Sequence, residues 1–98
     1  MLYDRAGILC GRRVLSDRRM ATVSARFREL FRHAFIAGAE GFVLAHNHPS
    51  GDFRPSAQDV AATRSLAALA RAMEFEFLDH VIVGGASAIS MRRAGLMP

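Results

Sequence analysis

The sequence predicts an α/β domain, a mixed β-sheet flanked by two helices. Three observations carry that expectation. Short apolar runs separated by turn residues fill the N-terminal quarter. Two later stretches repeat apolar residues at three- and four-residue intervals, and a continuous apolar run, Phe42-Val43-Leu44-Ala45, stands between them.

Residues 1–23 alternate the apolar runs Met1–Tyr3, Ile8–Cys10, Val14–Leu15 and Met20–Val23 with Asp-Arg-Ala-Gly and Ser-Asp-Arg-Arg, which is the turn chemistry of an antiparallel meander. From Ser24 to about Ala37, Phe27, Leu30, Phe31, Ala34 and Phe35 line one side while Arg26, Arg28, Glu29, Arg32 and His33 fill the other. That spacing predicts an amphipathic helix, capped by Ser24 and closed by Gly38. The run Phe42–Ala45 reads as a central strand covered on both faces. A loop over Pro49–Pro55 leads to a second helix from about Ala57 to Met73, with Val60, Leu66, Leu69, Ala70 and Met73 facing inward. Strands around Leu78–Val83 and Ala88–Met91, joined by Gly84-Gly85, complete the pattern.

With 98 residues, 51% hydrophobic and 22% charged, the chain fits one globular domain, residues 1–98, with one core and one principal site. No run reaches the ~20 apolar residues of a membrane span. The opening Met-Leu-Tyr-Asp lacks the basic and apolar regions of a signal peptide, so the expected location is the cytoplasm. The lone cysteine, Cys10, has no internal disulfide partner and is expected to be a small buried hydrophobe. All 13 basic residues are arginine and the net charge is +4. Arginine suits phosphate and carboxylate partners, but these arginines are scattered in pairs, as compositional bias alone would scatter them.

His46 and His48 sit two apart on an extended segment, so their side chains project to the same side and can reach one metal ion. They follow a buried strand, where α/β sheets place their sites, and the chain returns to a helix whose first turn holds Asp59. Two imidazoles and a carboxylate form a common catalytic zinc set that leaves a fourth position for water. Taken alone, Ser56 and Asp59 read equally as a capping box.

The stretch His46-Asn47-His48, seven residues, Ser56, two residues, Asp59 resembles the H-x-H-x7-S-x2-D motif of JAMM metallo-hydrolases. The surrounding His-Asn-His-Pro-Ser-Gly-Asp and the later Leu78-Asp79-His80-Val81-Ile82-Val83-Gly84 are similar to the RadC branch, and the likeness runs from about Met1 to Leu96. It implies an MPN (JAMM, cytidine-deaminase-like) fold, with His46, His48 and Asp59 as zinc ligands. Ser56 would be the catalytic hydroxyl that stabilises an oxyanion or orients water, and the chemistry would be hydrolysis of an amide or isopeptide bond in a peptide or protein.

The resemblance also implies a general-base glutamate several residues upstream of the position of Leu2, before this sequence begins. A domain truncated at its N-terminus is therefore expected to hydrolyse poorly. Glu29, Glu40, Glu74 and Glu76 do not replace that base convincingly. RadC proteins also carry an upstream helix-hairpin-helix segment, whose absence here withholds support for a DNA-repair role. His80 is open to a structural, a fourth-ligand or an outer-sphere role, with the structural one favoured, and Asp52 and Arg54 lie in the loop where substrate would pass. Two other function classes remain: a nucleic-acid module using the arginines, without a motif to support it, and a partner-binding scaffold that has lost catalysis.

Overall fold

Asp4 makes the first turn of the chain. Its Oδ1 accepts the N–H groups of Ala6 and Ile8, both at 2.9 Å, and Gly7 takes a φ of 80°, which a residue with a Cβ adopts only at a cost. The turn joins strand β1 (Leu2–Tyr3) to strand β2 (Leu9–Gly11) in an antiparallel hairpin. The computed structural model describes residues 1–11, 23–48 and 54–98, and the side chains of 23–26 are not among those described.

Helix α1 spans Val23–Ala37, strand β3 Gly41–Asn47, helix α2 Ala57–Ala72, strand β4 Glu76–Gly84 and strand β5 Ser87–Ser90. The sheet order is β2-β1-β3-β4-β5. Strand β1 runs antiparallel to β3, β3 runs parallel to β4 across the α2 crossover, and β5 turns back antiparallel on β4. The mixed sheet with two helices is the architecture expected. No helix among the described residues is long and apolar enough to cross a membrane.

Both helices end by the same device. Gly38, at φ 69°, donates to the Phe35 carbonyl while Ala39 donates to that of Ala34, the paired bonds of a Schellman motif. Glu74 does the same after α2, at φ 61°, with its N–H on Arg71 and that of Phe75 on Ala70. Gly38 thus closes α1 as its sequence position implies. Ser24 does not open it, because the helix already includes Val23, which also removes Val23 from the expected fourth strand. Val14–Leu15 and Met20–Thr22 lie outside the described residues.

The core is aromatic. Phe31 of α1 meets Phe42 of β3 edge-to-face at 6.0 Å, Phe42 stacks on Phe77 of β4 at 4.9 Å, and Phe31 lies 5.5 Å from Phe75. Leu2, Leu30, Ala34, Leu66 and Ala70 close around them. Phe42 pairs with Phe77 and Leu44 with His80 across the sheet, and residues two apart share a face. Helix α1 reaches Phe42 and α2 reaches His80, so the two helices cover the same side. That corrects the expectation of a strand covered twice: Val43 is only half-buried and Ala45 is exposed.

Three further expectations are corrected. Cys10 is exposed: among the described residues β2 stands at the edge of the sheet, where Ile8 and Leu9 are also open, at 64% and 52%. Phe35 is 61% exposed and meets Phe75 edge-to-face at 5.0 Å. Leu69 and Met73 are 42% and 36% exposed. The buried line of α2 is Asp59, Thr63, Leu66 and Ala70, a narrow stripe with a polar first half, and it turns Leu69 and Met73 aside.

Candidate functional site

Strand β3 runs two residues beyond its apolar segment, and this extension carries His46 out of the core. The main chain stays tied to β4 through His46↔Ile82 and Asn47↔Val83, and the His48 N–H donates to the Val83 carbonyl at 2.8 Å. The two imidazoles therefore emerge on one side with their positions set by the sheet, 4.8 Å apart and perpendicular.

Helix α2 supplies the third group. Ser56 caps it in a reciprocal box, with the Asp59 N–H donating to Ser56 Oγ at 3.1 Å and the Ser56 N–H donating to Asp59 Oδ2 at 2.8 Å. The Ser56 hydroxyl donates to the same Oδ2 at 2.9 Å. The capping box is thus present, and the same carboxylate faces the two imidazoles. Asp59, only 5% exposed, turns Oδ1 toward His46 Nδ1 at 3.3 Å and Oδ2 toward His48 Nε2 at 3.0 Å.

Electrostatics favour the charged carboxylate. Burial alone would raise the Asp59 pKa, but the two hydrogen bonds from Ser56 and the fields of His46 and His48 together hold it below the ordinary 3.8. One donor atom from each of His46, His48 and Asp59 lies within 4.8 Å of the others. The 3.0 and 3.3 Å carboxylate-to-imidazole separations, each to a different oxygen of Asp59, are ion-pair distances, and the three side chains stand close enough to share one cation. The donor set, two nitrogens and one oxygen, suits a borderline divalent cation.

A sequence model of the RadC-like JAB domain matches residues 1–96. The chain belongs to this family. Curated relatives of the RadC-like domain include a UPF0758 protein of Neisseria meningitidis, 37% identical over 98 residues that cover 100% of this chain and 44% of that protein. A UPF0758 protein of Chloroflexus aggregans is 36% identical over 75 residues, 76% of this chain and 33% of its own length. UPF0758 protein YsxA of Bacillus subtilis is 39% identical over 70 residues, 71% of this chain and 30% of its own. This RadC-like chain thus spans from under a third to under a half of those relatives.

The remaining candidates separate by position. His80 stays outside the converging group: it is 2% exposed, and its Nδ1 lies 2.7 Å from the Thr63 hydroxyl. Burial, reinforced by His46 and opposed by Asp59 and Asp79, lowers its pKa from the ordinary 6.5. Asp79 holds the turn after β5, accepting from the N–H groups of His80 and Arg92 and from the Ser90 hydroxyl. Arg92 in turn donates to the Phe77 and Leu78 carbonyls, beside the irregular pairing where β4 meets Phe42 and Val43. Leu78-Asp79-His80 is therefore a structural knot next to the site.

Glu29 pairs with Arg32 on α1 at 3.3 Å, and Glu40 pairs with Arg5 at 3.7 Å. Glu40 and Glu76 bracket the start of β3, where Glu76 registers with Gly41, at the far end of that strand from His46. Glu74 lies in the turn just before. Asp52 falls outside the described residues, and Arg54 is exposed. Thr63 is the residue that sequence reasoning passed over. Its only signal was its spacing, four residues after Asp59 and three before Leu66 on the buried stripe.

Proposed function

We propose that this RadC-like domain is a zinc-dependent hydrolase of amide bonds, peptide or isopeptide, with His46, His48 and Asp59 as the metal ligands. The observation that carries the reading is the convergence of the three donors, one atom from each lying within 4.8 Å of the others. When bound there, zinc supplies Lewis acidity, polarising a carbonyl and making water acidic near neutral pH.

The chain's own residues do the rest. Asp59, kept ionised, supplies the negative charge, and the Ser56 N–H and hydroxyl fix the carboxylate's direction. His48 is fixed at its main chain by β4 and is 17% exposed, while His46 is 45% exposed and opens the site to a substrate. Ser56 Oγ accepts from the Asp59 N–H and gives its proton to Asp59 Oδ2, so it would donate to a reacting oxygen only by exchanging that bond. A peptide or protein is the substrate class this open arrangement admits. The pairing of Glu29 with Arg32, and the placement of Glu40 and Glu76 at the far end of β3 from His46 with Glu74 just before, favour a second reading, a metal-holding scaffold without full hydrolytic equipment.

Elemental analysis of the purified chain tests the proposal. About one zinc per chain is expected in the wild type, with loss in His46→Ala and His48→Ala. Equal metal content in all three proteins would overturn the ligand assignment.

A further inference from the structure

Beside the converging donors lies a buried polar pair that the proposed chemistry does not use. Thr63 and His80 are 1% and 2% exposed. The Thr63 Oγ1 lies 2.7 Å from His80 Nδ1 and 2.7 Å from the main-chain oxygen of Asp59. A carbonyl can only accept, so the one hydroxyl proton goes to Asp59. The oxygen must then accept at His80, which places that ring's proton on Nδ1 and leaves Nε2 bare. Nε2 is buried without a hydrogen-bond partner among the described residues.

The main chain of His80 is anchored on both sides. Its N–H donates to Asp79 Oδ1 at 2.8 Å, and its carbonyl accepts from the Met91 N–H at 2.9 Å. Its ring lies parallel to that of His46, 12° between planes and 6.2 Å between centroids. One side chain on β4 thus reaches both elements that carry the proposed ligands: α2 through Thr63, and β3 through the His46 ring.

An apolar pair of the same shape would fill this space at similar or better stability, because buried polar groups gain little net free energy on folding. A hydrogen-bonded pair adds direction. We propose that Thr63 and His80 are a positioning pair, which locks the first turn of α2 so that the Asp59 carboxylate faces His46 and His48. The inference rests on the reading of those three residues as metal ligands, and it adds a function for two residues outside the ligand set.

The test uses the whole chain and begins without metal. Long-range 15N–1H spectra of the imidazoles should show His80 protonated at Nδ1 in the wild type and in Thr63→Ser, which keeps the hydroxyl. In the shape-conserving double variant Thr63→Val/His80→Phe, urea denaturation should find global stability close to wild type. The Ser56 and Asp59 amides should nevertheless exchange with solvent faster. Zinc affinity by chelator competition should fall about 10- to 100-fold in the double variant and stay near wild type in Thr63→Ser.

An Nε2-protonated His80 in the wild type would overturn the proposal. So would wild-type amide exchange together with wild-type zinc affinity in the double variant. If the wild type binds no zinc at all, the metal reading fails by itself, and the imidazole tautomer and the exchange rates still decide the positioning pair.

Discussion

Ser56 and Asp59 bind each other in both directions, Ser56 Oγ accepting from the Asp59 N–H at 3.1 Å while donating to Asp59 Oδ2 at 2.9 Å. The observed cap and the proposed ligand role of this pair can be separated by mutation. Asp59→Asn keeps an oxygen for the Ser56 N–H but removes the charge that Ser56, His46 and His48 favour, so it should lower metal-free stability modestly at neutral pH and strip zinc binding. Ser56→Ala removes the cap and should cost about 1 kcal/mol of metal-free stability. Urea denaturation and chelator competition on both variants check this. A strong zinc complex in Asp59→Asn would show the carboxylate to be a cap alone.

The second prediction concerns acid. His80 has a folded pKa below the ordinary 6.5, so between these values the unfolded chain holds a proton there that the folded chain does not. Stability must therefore fall as pH drops below 6.5 toward the folded value, by up to about 1.4 kcal/mol per pH unit from this group. Asp59, also depressed, works in the same sense below 3.8, its contribution present above that value and lost as pH falls through its folded pKa. Denaturation of the metal-free chain across this range measures the slope. Thr63→Val/His80→Phe should flatten its upper part, and an unchanged slope would assign it to other groups.

Glu74 is the non-glycine residue with positive φ among those described, at 61°. A side chain in that left-handed region costs roughly 1–2 kcal/mol, partly offset in glycine by its greater freedom when unfolded. Glu74→Gly should accordingly raise stability by about 0.5–1 kcal/mol without touching the histidine site. A denaturation midpoint at or below wild type would mean that the carboxylate makes a compensating contact at the entrance to β4.

What could be read from residue order was the part written in local patterns. The hairpin turn after Tyr3, the Gly38 helix stop and the two-residue spacing of His46 and His48 depend on near neighbours alone, and each lies in the structure where its pattern places it. Leu69, Met73 and Phe35 misled because helical periodicity gives the width of an apolar face but not how much of it the sheet covers. Cys10 misled for a related reason: an apolar run does not say how much of its strand is covered, and β2 has one neighbouring strand among the described residues. Thr63 was illegible because a threonine inside a helix gains meaning only from what stands opposite, and His80 comes from a strand 17 residues later.

The last prediction follows from the register of the first strand. Met1 and Val43 exchange both main-chain hydrogen bonds at 2.9 Å, Leu2 pairs with Phe42 and Tyr3 with Gly41 in antiparallel sense. Each residue added ahead of Met1 in this register advances one position along β3, past Leu44 and Ala45, so that a third would stand opposite His46. A strand continued upstream therefore leads toward the histidines, whereas Glu40 and Glu76 are held at the other end of β3. The likeness to JAMM hydrolases places a general-base glutamate in such an upstream segment, and a positioned base contributes about 10²–10⁴ in rate. The 98-residue chain should thus bind zinc yet cleave isopeptide or peptide substrates slowly. A chain extended upstream to include that glutamate should be faster by that factor, and glutamate-to-glutamine exchange should return it to the slow rate. Asp59→Asn should abolish turnover in both lengths. If the short chain cleaves as fast as the extended one, the base lies within these residues and the upstream strand has no part in the chemistry.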